Sequence, residues 1–398
     1  MLFKDIIGQE TLKKELPELL QDNRLAHALI FLGKEGSGAL PLALAFAQYV
    51  VCEKVNGRGK ENAGPSLFGE EPVAATKVLE ACGTCPACLK AVKLVHPDIH
   101  FSYPVIPKKP GTPPVSTDYV TEWREFISKT PYGNVYDWLQ YIGAENKQGN
   151  ITAQECNDIN RKLNLKSFES EYKILVMWMP EYLGHEGNKL LKLIEEPPAN
   201  TLFILVAEND SLILPTILSR CQLVKVPLLE DEKLAAALVE RNQLDEATAR
   251  RIAGISEGNY REALQQVQHA DEDWHNLLRE WLNAILKAGP IAQVKWVDKI
   301  SGVGREKQKQ FLRYFNHLLA QAVRLRVLGD DLPMPELEKD FAQRLNRIAD
   351  LGQQQAIIEE LDKAAYYIER NANGKMLFHA LTIKVYRIIQ DKIVFLTD

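Results

Sequence analysis

Apolar residues recur at helical spacing from Gln9 to Leu20 (Leu12, Leu16, Leu19, Leu20), which predicts an amphipathic helix. A short unbroken apolar run, Ala28-Leu29-Ile30-Phe31-Leu32, stops at Gly33, and Leu40 to Val51 is again helix-like. Two later runs, Tyr172 to Met179 (YKILVMWM) and Leu202 to Ala207 (LFILVA), predict buried strands, and Val224-Lys225-Val226 a further short one. Between them, Ile151 to Leu165 and Asn188 to Ile194 predict helices, the second stopped by Pro197-Pro198. Apolar strands alternating with helices predict an α/β fold with a parallel sheet covered on both faces. After residue 229 no strand pattern remains. Residues 230–268 predict three short helices and residues 272–393 five or six longer ones.

Two stretches interrupt this pattern. Residues 53–81 are polar and glycine-rich and predict an irregular excursion. Residues 104–116 hold five prolines and predict a loop, and residues 117–150 are rich in aromatics (Tyr119, Trp123, Phe126, Tyr132, Tyr136, Trp138, Tyr141). One or two inserted helices packing on the domain surface are the expectation there. A chain of 398 residues is too long for one ordinary core. The pattern divides it into an α/β domain over 1–227, a small helical lid over 228–268 and an all-helical domain over 269–398.

A strand, a glycine loop and a helix form the context of a phosphate-binding loop. In Gly33-Lys34-Glu35-Gly36-Ser37-Gly38-Ala39-Leu40 the outer glycines have the working spacing. Ala39 and Leu40, however, stand where lysine would neutralise phosphate and a hydroxyl would hold magnesium. Lys34 lies at the wrong end of the loop to replace that lysine. A catalytic site also needs an acidic pair at the end of a buried strand; here Trp178 and Met179 take those positions, with Glu181 beyond them expected as a solvated loop residue. A chance glycine loop is the plain alternative, but two separate losses of ATPase chemistry reinforce each other.

Cys82, Cys85 and Cys88 follow a C-x-x-C-x-x-C spacing that places three thiolates within reach of one ion. Core cysteines are the plain alternative. Four-coordinate structural zinc is the expectation, its fourth ligand either Cys52 or His96. His96, in His96-Pro97-Asp98, equally suits a turn. Cys156 and Cys221 read as packing residues. A net charge of −5 supplies no global attraction for nucleic acid. No apolar run is long enough to cross a bilayer and the chain opens on Met1-Leu2-Phe3-Lys4-Asp5, so no membrane association and a cytoplasmic location are expected.

The ordered set Phe3-Lys4-Asp5-Ile6-Ile7-Gly8-Gln9, Leu25-Ala26-His27-Ala28-Leu29-Ile30-Phe31, the glycine loop, the cysteine triplet, His96-Pro97-Asp98, Leu190 through Pro198 and Ser219-Arg220-Cys221 resembles the AAA+ subunits of the bacterial DNA polymerase III clamp loader. Gly258-Asn259-Tyr260-Arg261 resembles the family's sensor-2 helix, and Asn371-Ala372-Asn373 with Leu377 and Leu381 its last collar helix. The resemblance covers nearly the whole chain except 53–81 and 104–150. It implies an AAA+ P-loop domain with a zinc module over 52–88, then a lid, then an oligomerising collar. Lacking the lysine and the acidic pair, and ending soon after the collar, the chain is similar to the δ′ type of subunit and unlike the ATP-hydrolysing τ/γ type.

That resemblance implies a stator in a pentameric ring with τ/γ and δ subunits, which loads the β sliding clamp onto primer-template DNA. It makes Arg220 an arginine finger for a neighbour's ATP. Gly33, Gly36 and Gly38 become a degenerate nucleotide loop, Arg261 a sensor-2 residue kept for structure, and Cys52, Cys82, Cys85 and Cys88 the zinc ligands. No ATP hydrolysis in cis is expected. Two rival readings are an active τ/γ-type ATPase with a variant loop and a zinc-ribbon nucleic-acid binder.

Overall fold

A computed structural model describes residues 1–56, 78–144, 149–268, 274–329, 336–369 and 372–392. By its internal contacts the chain forms two compact units, Met1–Gln265 and Gln266–Asp398. The first is built on a five-stranded sheet: β1 (Ala28–Leu32), β2 (Ile99–Ser102), β3 (Lys173–Trp178), β4 (Thr201–Ala207) and β5 (Gln222–Lys225). All pairings are parallel and the spatial order is β2-β3-β4-β1-β5. Alternate residues face opposite ways, as the two-residue period of a strand requires. Leu29, Phe31, Ile174, Val176, Trp178, Leu202, Ile204 and Val206 enter one core, and Ala28, Ile30, Leu175, Met177, Phe203, Leu205 and Ala207 the other.

The helices of this unit are α1 (Glu10–Gln21), α2 (Ala39–Val51), α3 (Pro86–Val92), α4 (Val120–Lys129), α5 (Val135–Tyr141), α6 (Ala153–Leu163), α7 (Asn188–Glu195) and α8 (Pro215–Leu218). Three more, α9 (Asp231–Asn242), α10 (Glu246–Ser256) and α11 (Tyr260–Gln268), follow the sheet. Every residue of α2 is buried, because the helix lies between the sheet and the α3–α5 side of the unit. The opposite core takes its residues from α6 through α8.

The strand β2 is absent from the sequence expectation. Ile-His-Phe-Ser is short and partly polar, and only its edge pairing with β3 makes it a strand. The strand expected at Val224–Val226 lies earlier, at Gln222–Lys225. Most of the 53–81 excursion lies outside the described residues, as does Asn371 of the expected collar motif.

The aromatic segment forms two inserted helices as expected, α4 and α5, but its rings lie deeper than a surface addition implies. Far from lying on the surface, Trp123 and Trp138 are fully buried, with Tyr103 stacked on Trp123 at 4.0 Å and Trp138 edge-on to Trp123 at 5.3 Å. The Trp138 indole N–H donates to the Pro104 carbonyl at 2.7 Å, so the ring's polar edge is satisfied as burial demands. Val105 and Asn150 form an antiparallel bridge that closes the base of the segment.

The second unit is all-helical among its described residues: α12 (Trp274–Asn283), α13 (Pro290–Ser301), α14 (Arg305–Leu328), α15 (Glu336–Ile348), α16 (Leu351–Glu369) and α17 (Gly374–Gln390). A π-helical turn follows α12. Its core is centred on Trp281, stacked on Trp296 at 4.8 Å and packed against Phe311 and Phe315. No helix among the described residues is long and apolar enough to cross a membrane.

Candidate nucleotide site and cysteine centre

The glycine loop runs from the end of β1 into α2 with left-handed backbone at Gly36 (φ 72°) and Gly38 (φ 89°). Glycine adopts this region without a Cβ penalty. The loop therefore keeps the phosphate-cradling shape, yet its cleft is filled by the chain itself. The ring of Tyr132 lies 3.1 Å from where a Cβ on Gly38 would stand, its hydroxyl accepts the Ile7 N–H at 3.0 Å, and its edge meets Tyr260 at 4.9 Å. The remaining cavity, walled by the loop with Tyr132, Gly133, Trp178 and Glu208, measures about 30 Å³, whereas pockets for small ligands measure roughly 300–1,000 Å³.

On the lid side, Arg261 of α11 is 5% exposed and meets two carboxylates. Asp137 takes it bidentately (Nε to Oδ2 2.5 Å, Nη2 to Oδ1 2.6 Å), and Glu35 takes Nη1 at 3.0 Å. Asn134 and Asn259 each donate an amide N–H to Glu35, at 2.7 and 3.1 Å. The Tyr260 N–H reaches the Gly36 carbonyl at 3.3 Å. Gly36 is tightly enclosed, since a Cβ there would stand 1.9 Å from Asn259 Oδ1. Lys34 is exposed.

Where an acidic pair would end β3, Trp178 packs against Trp123 at 5.3 Å and Met179 is buried in left-handed backbone. Glu181 corrects its expected solvated role. It is mostly buried, burial raises its pKa, and it accepts the N–H groups of Glu208 and Asn209 at 2.7 and 2.9 Å.

Sequence reasoning missed Glu35, Tyr132, Asn134 and Asp137 as members of this site. Asn134-x-x-Asp137 is legible as a capping box opening α5, and both of its reciprocal bonds form. That signal locates a helix start. It does not reveal that the helix start faces a glycine loop about a hundred residues away.

Arg220 stands elsewhere. It follows α8 and precedes β5, whose register pairs Gln222 with Leu29 and Lys225 with Leu32. Arg220 therefore sits in the turn just before an edge strand whose first residue, Gln222, is about 13 Å of strand from the glycine loop beyond Leu32. Its guanidinium pairs with Glu195 and donates to the Thr216 carbonyl at 2.7 Å, leaving the side chain 34% exposed. Cys221 packs partly against the α6–α8 core and Cys156 lies within it.

The sulfur atoms of Cys52, Cys82, Cys85 and Cys88 all lie within 4.8 Å of one another, with Cys82 and Cys88 at 3.9 Å. Zn–S bonds of about 2.3 Å in a tetrahedron need sulfurs about 3.8 Å apart, so the donor set fits. Backbone N–H groups point at the sulfurs: Cys82 to Cys52 at 3.4 Å, Cys85 to Cys82 at 3.3 Å and Cys88 to Cys85 at 3.4 Å. Such bonds favour thiolates over thiols. A bond from Cys88, reinforced by the N–H groups, lowers the pKa of Cys52 against its burial, and the same bond together with burial raises that of Cys88. Between the two candidates for fourth ligand the geometry brings in Cys52. His96 is buried beside Glu169 and its Nδ1 accepts the Asp98 N–H at 3.2 Å, which shapes the turn.

A parallel sheet ordered β2-β3-β4-β1-β5, with a glycine loop after β1 and helices α9–α11 closed over it, has the architecture of an AAA+ module. The sequence profile of the family described as DNA polymerase III, delta subunit, matches residues 8–230. That is more than half of the chain: it belongs to this family and is a clamp-loader AAA+ subunit. DNA polymerase III subunit tau of Bacillus subtilis is 24% identical over 326 residues, covering 80% of this chain and 46% of the relative. Subunit gamma of Buchnera aphidicola is 23% identical over 342 residues, covering 79% and 77%. Subunit delta′ of B. subtilis is 24% identical over 258 residues, covering 65% and 58%. The chain thus spans about half the length of two of these relatives and three quarters of the third. A solved gamma subunit-related protein of Thermotoga maritima aligns over 95% of this chain and 98% of its own, at 15% identity and a TM-score of 0.37.

Proposed function

We propose that this chain is a non-hydrolysing, δ′-like stator of the clamp loader. It takes no ATP of its own and supplies Arg220 to the ATP site of an adjoining τ/γ subunit. One observation carries the reading: the chain's own nucleotide cleft is closed by its own side chains, while Arg220 stands exposed at the other end of the sheet. From there the guanidinium serves a neighbour and not its own loop. In the neighbour's site it would stabilise charge on the transferring phosphoryl group, a contribution of about 10³-fold or more in comparable enzymes. Within the assembly, which we take to be a cytoplasmic pentameric ring with τ/γ and δ joined through α12–α17, the work done is loading of the β sliding clamp onto primed DNA. The four cysteines hold one structural zinc ion, which leaves no open coordination position for catalysis.

Three measurements test this. Calorimetry of the isolated chain is expected to show no magnesium-dependent ATP binding; micromolar affinity would favour an active ATPase of the τ/γ type instead. In the reconstituted loader, Arg220→Ala is expected to leave assembly intact and cut DNA-stimulated ATP turnover at the adjoining site by about 10³-fold. Unchanged turnover removes the role in trans. Elemental analysis is expected to give about one zinc per chain.

A further inference from the structure

We propose that Asp137, together with Glu35, is a resident substitute for nucleotide phosphate: it fastens the lid to the glycine loop through Arg261 with no ligand required. This rests on the reading that the chain takes no nucleotide, and it concerns what replaces one. A guanidinium fork accepts carboxylate and phosphate by the same pair of parallel N–H bonds. Arg261 presents that fork to Asp137 at 2.5 and 2.6 Å. The third donor goes to Glu35, which sits in the middle of the glycine loop. The Asp137 carboxylate is held in place by the Asn134 backbone N–H, which donates to its Oδ2 at 3.2 Å, and the Asp137 N–H in turn donates to the Asn134 Oδ1 at 2.9 Å. Asn134 in turn reaches Glu35, so the two carboxylates and the arginine form one closed network.

The position of the network gives it a consequence. Arg261, Tyr260 and Asn259 all belong to the start of α11, and all three touch the loop or its carboxylates. Losing the Asp137 charge leaves Arg261 nearly buried beside a loop shaped for phosphate. The vacated position is then an oxyanion site, and an inorganic phosphate oxyanion is the chemical class it takes.

The test is amide hydrogen exchange on the full chain, read over residues 257–264 and 33–38, for the wild type, Asp137→Ala and the isosteric Asp137→Asn. A hydrogen bond to a charged group contributes about 1.5–3 kcal/mol, so exchange at α11 in either variant is expected to rise about tenfold or more. Millimolar pyrophosphate is expected to restore protection in Asp137→Ala, where the carboxylate position is vacated, to leave the wild type and the space-filling Asp137→Asn unchanged, and to do nothing in the double variant Asp137→Ala/Arg261→Ala. Exchange in Asp137→Asn equal to the wild type overturns the proposal, as does equal protection by pyrophosphate in the double variant. Should Asp137→Ala fail to fold, Asp137→Asn carries the test, since it keeps the side-chain volume. ATP binding by the wild type would instead count against the stator reading itself, so the two failures are told apart.

Discussion

Two arginines of this chain stand in opposite circumstances. Arg261 is nearly buried, and its fork is answered by two carboxylates of the same chain. Arg220 is a third exposed, pairs with the single carboxylate of Glu195, and lies in the turn just before an edge strand. A buried guanidinium gripped by two carboxylates through all three of its nitrogens is committed to the fold. One paired at a surface, and a third exposed, can be reached from outside. The difference is what the proposed roles rest on: an arginine locked into the fold beside one that a neighbour could reach.

Substitution to alanine should split the pair. Removing Arg261 leaves Asp137 and Glu35 facing each other without a cation, and breaking such a buried pair costs about 3–5 kcal/mol. Urea unfolding followed by tryptophan fluorescence should show a loss of that size; a loss under about 1 kcal/mol would mean that the network is decorative. A smaller effect is expected at Gly36→Ala, where the new Cβ meets Asn259 Oδ1 and the backbone is left-handed. Strain of this kind costs about 1–3 kcal/mol, and it should appear first as loosened exchange at the start of α11. The smallest effect belongs to Arg220→Ala, whose exposed pair with Glu195 is worth about 0–1 kcal/mol. If unfolding shows Arg220→Ala as costly as Arg261→Ala, the contrast between them fails.

How much of this is legible in the sequence depends on how local the cause is. The strands β1, β3 and β4 announce themselves because both faces are buried, so each reads as an unbroken apolar run. The strand β2 does not, because His100 and Phe101 are only half-buried at a sheet edge. The glycine loop, the missing lysine and the missing acidic pair are one-dimensional facts. What fills the cleft is not: Tyr132 and Asp137 gain their meaning from Gly38 and Arg261, and no local pattern connects those positions. The same holds for the aromatic segment. Its rings look like surface decoration until Trp178 supplies a wall for Trp123 and Phe126 to pack against. Cys52 is an intermediate case, since its residue type suggests a fourth ligand and only the fold chooses it over His96.

Both departures from the regular α/β pattern leave and re-enter the domain at adjacent points. One is pinched by the N–H of Cys82 on the sulfur of Cys52, the other by the bridge between Val105 and Asn150. The entropy of closing a loop grows only logarithmically, by about 0.6 kcal/mol for each doubling of length. With the base of each held by its own chemistry, added length costs the rest of the domain little, provided that in the second segment it avoids the buried rings and the Arg261 network. Between Cys52 and Cys82 this chain is therefore expected to accept foreign sequence, whether an affinity tag, a fluorophore-bearing peptide or a whole grafted module.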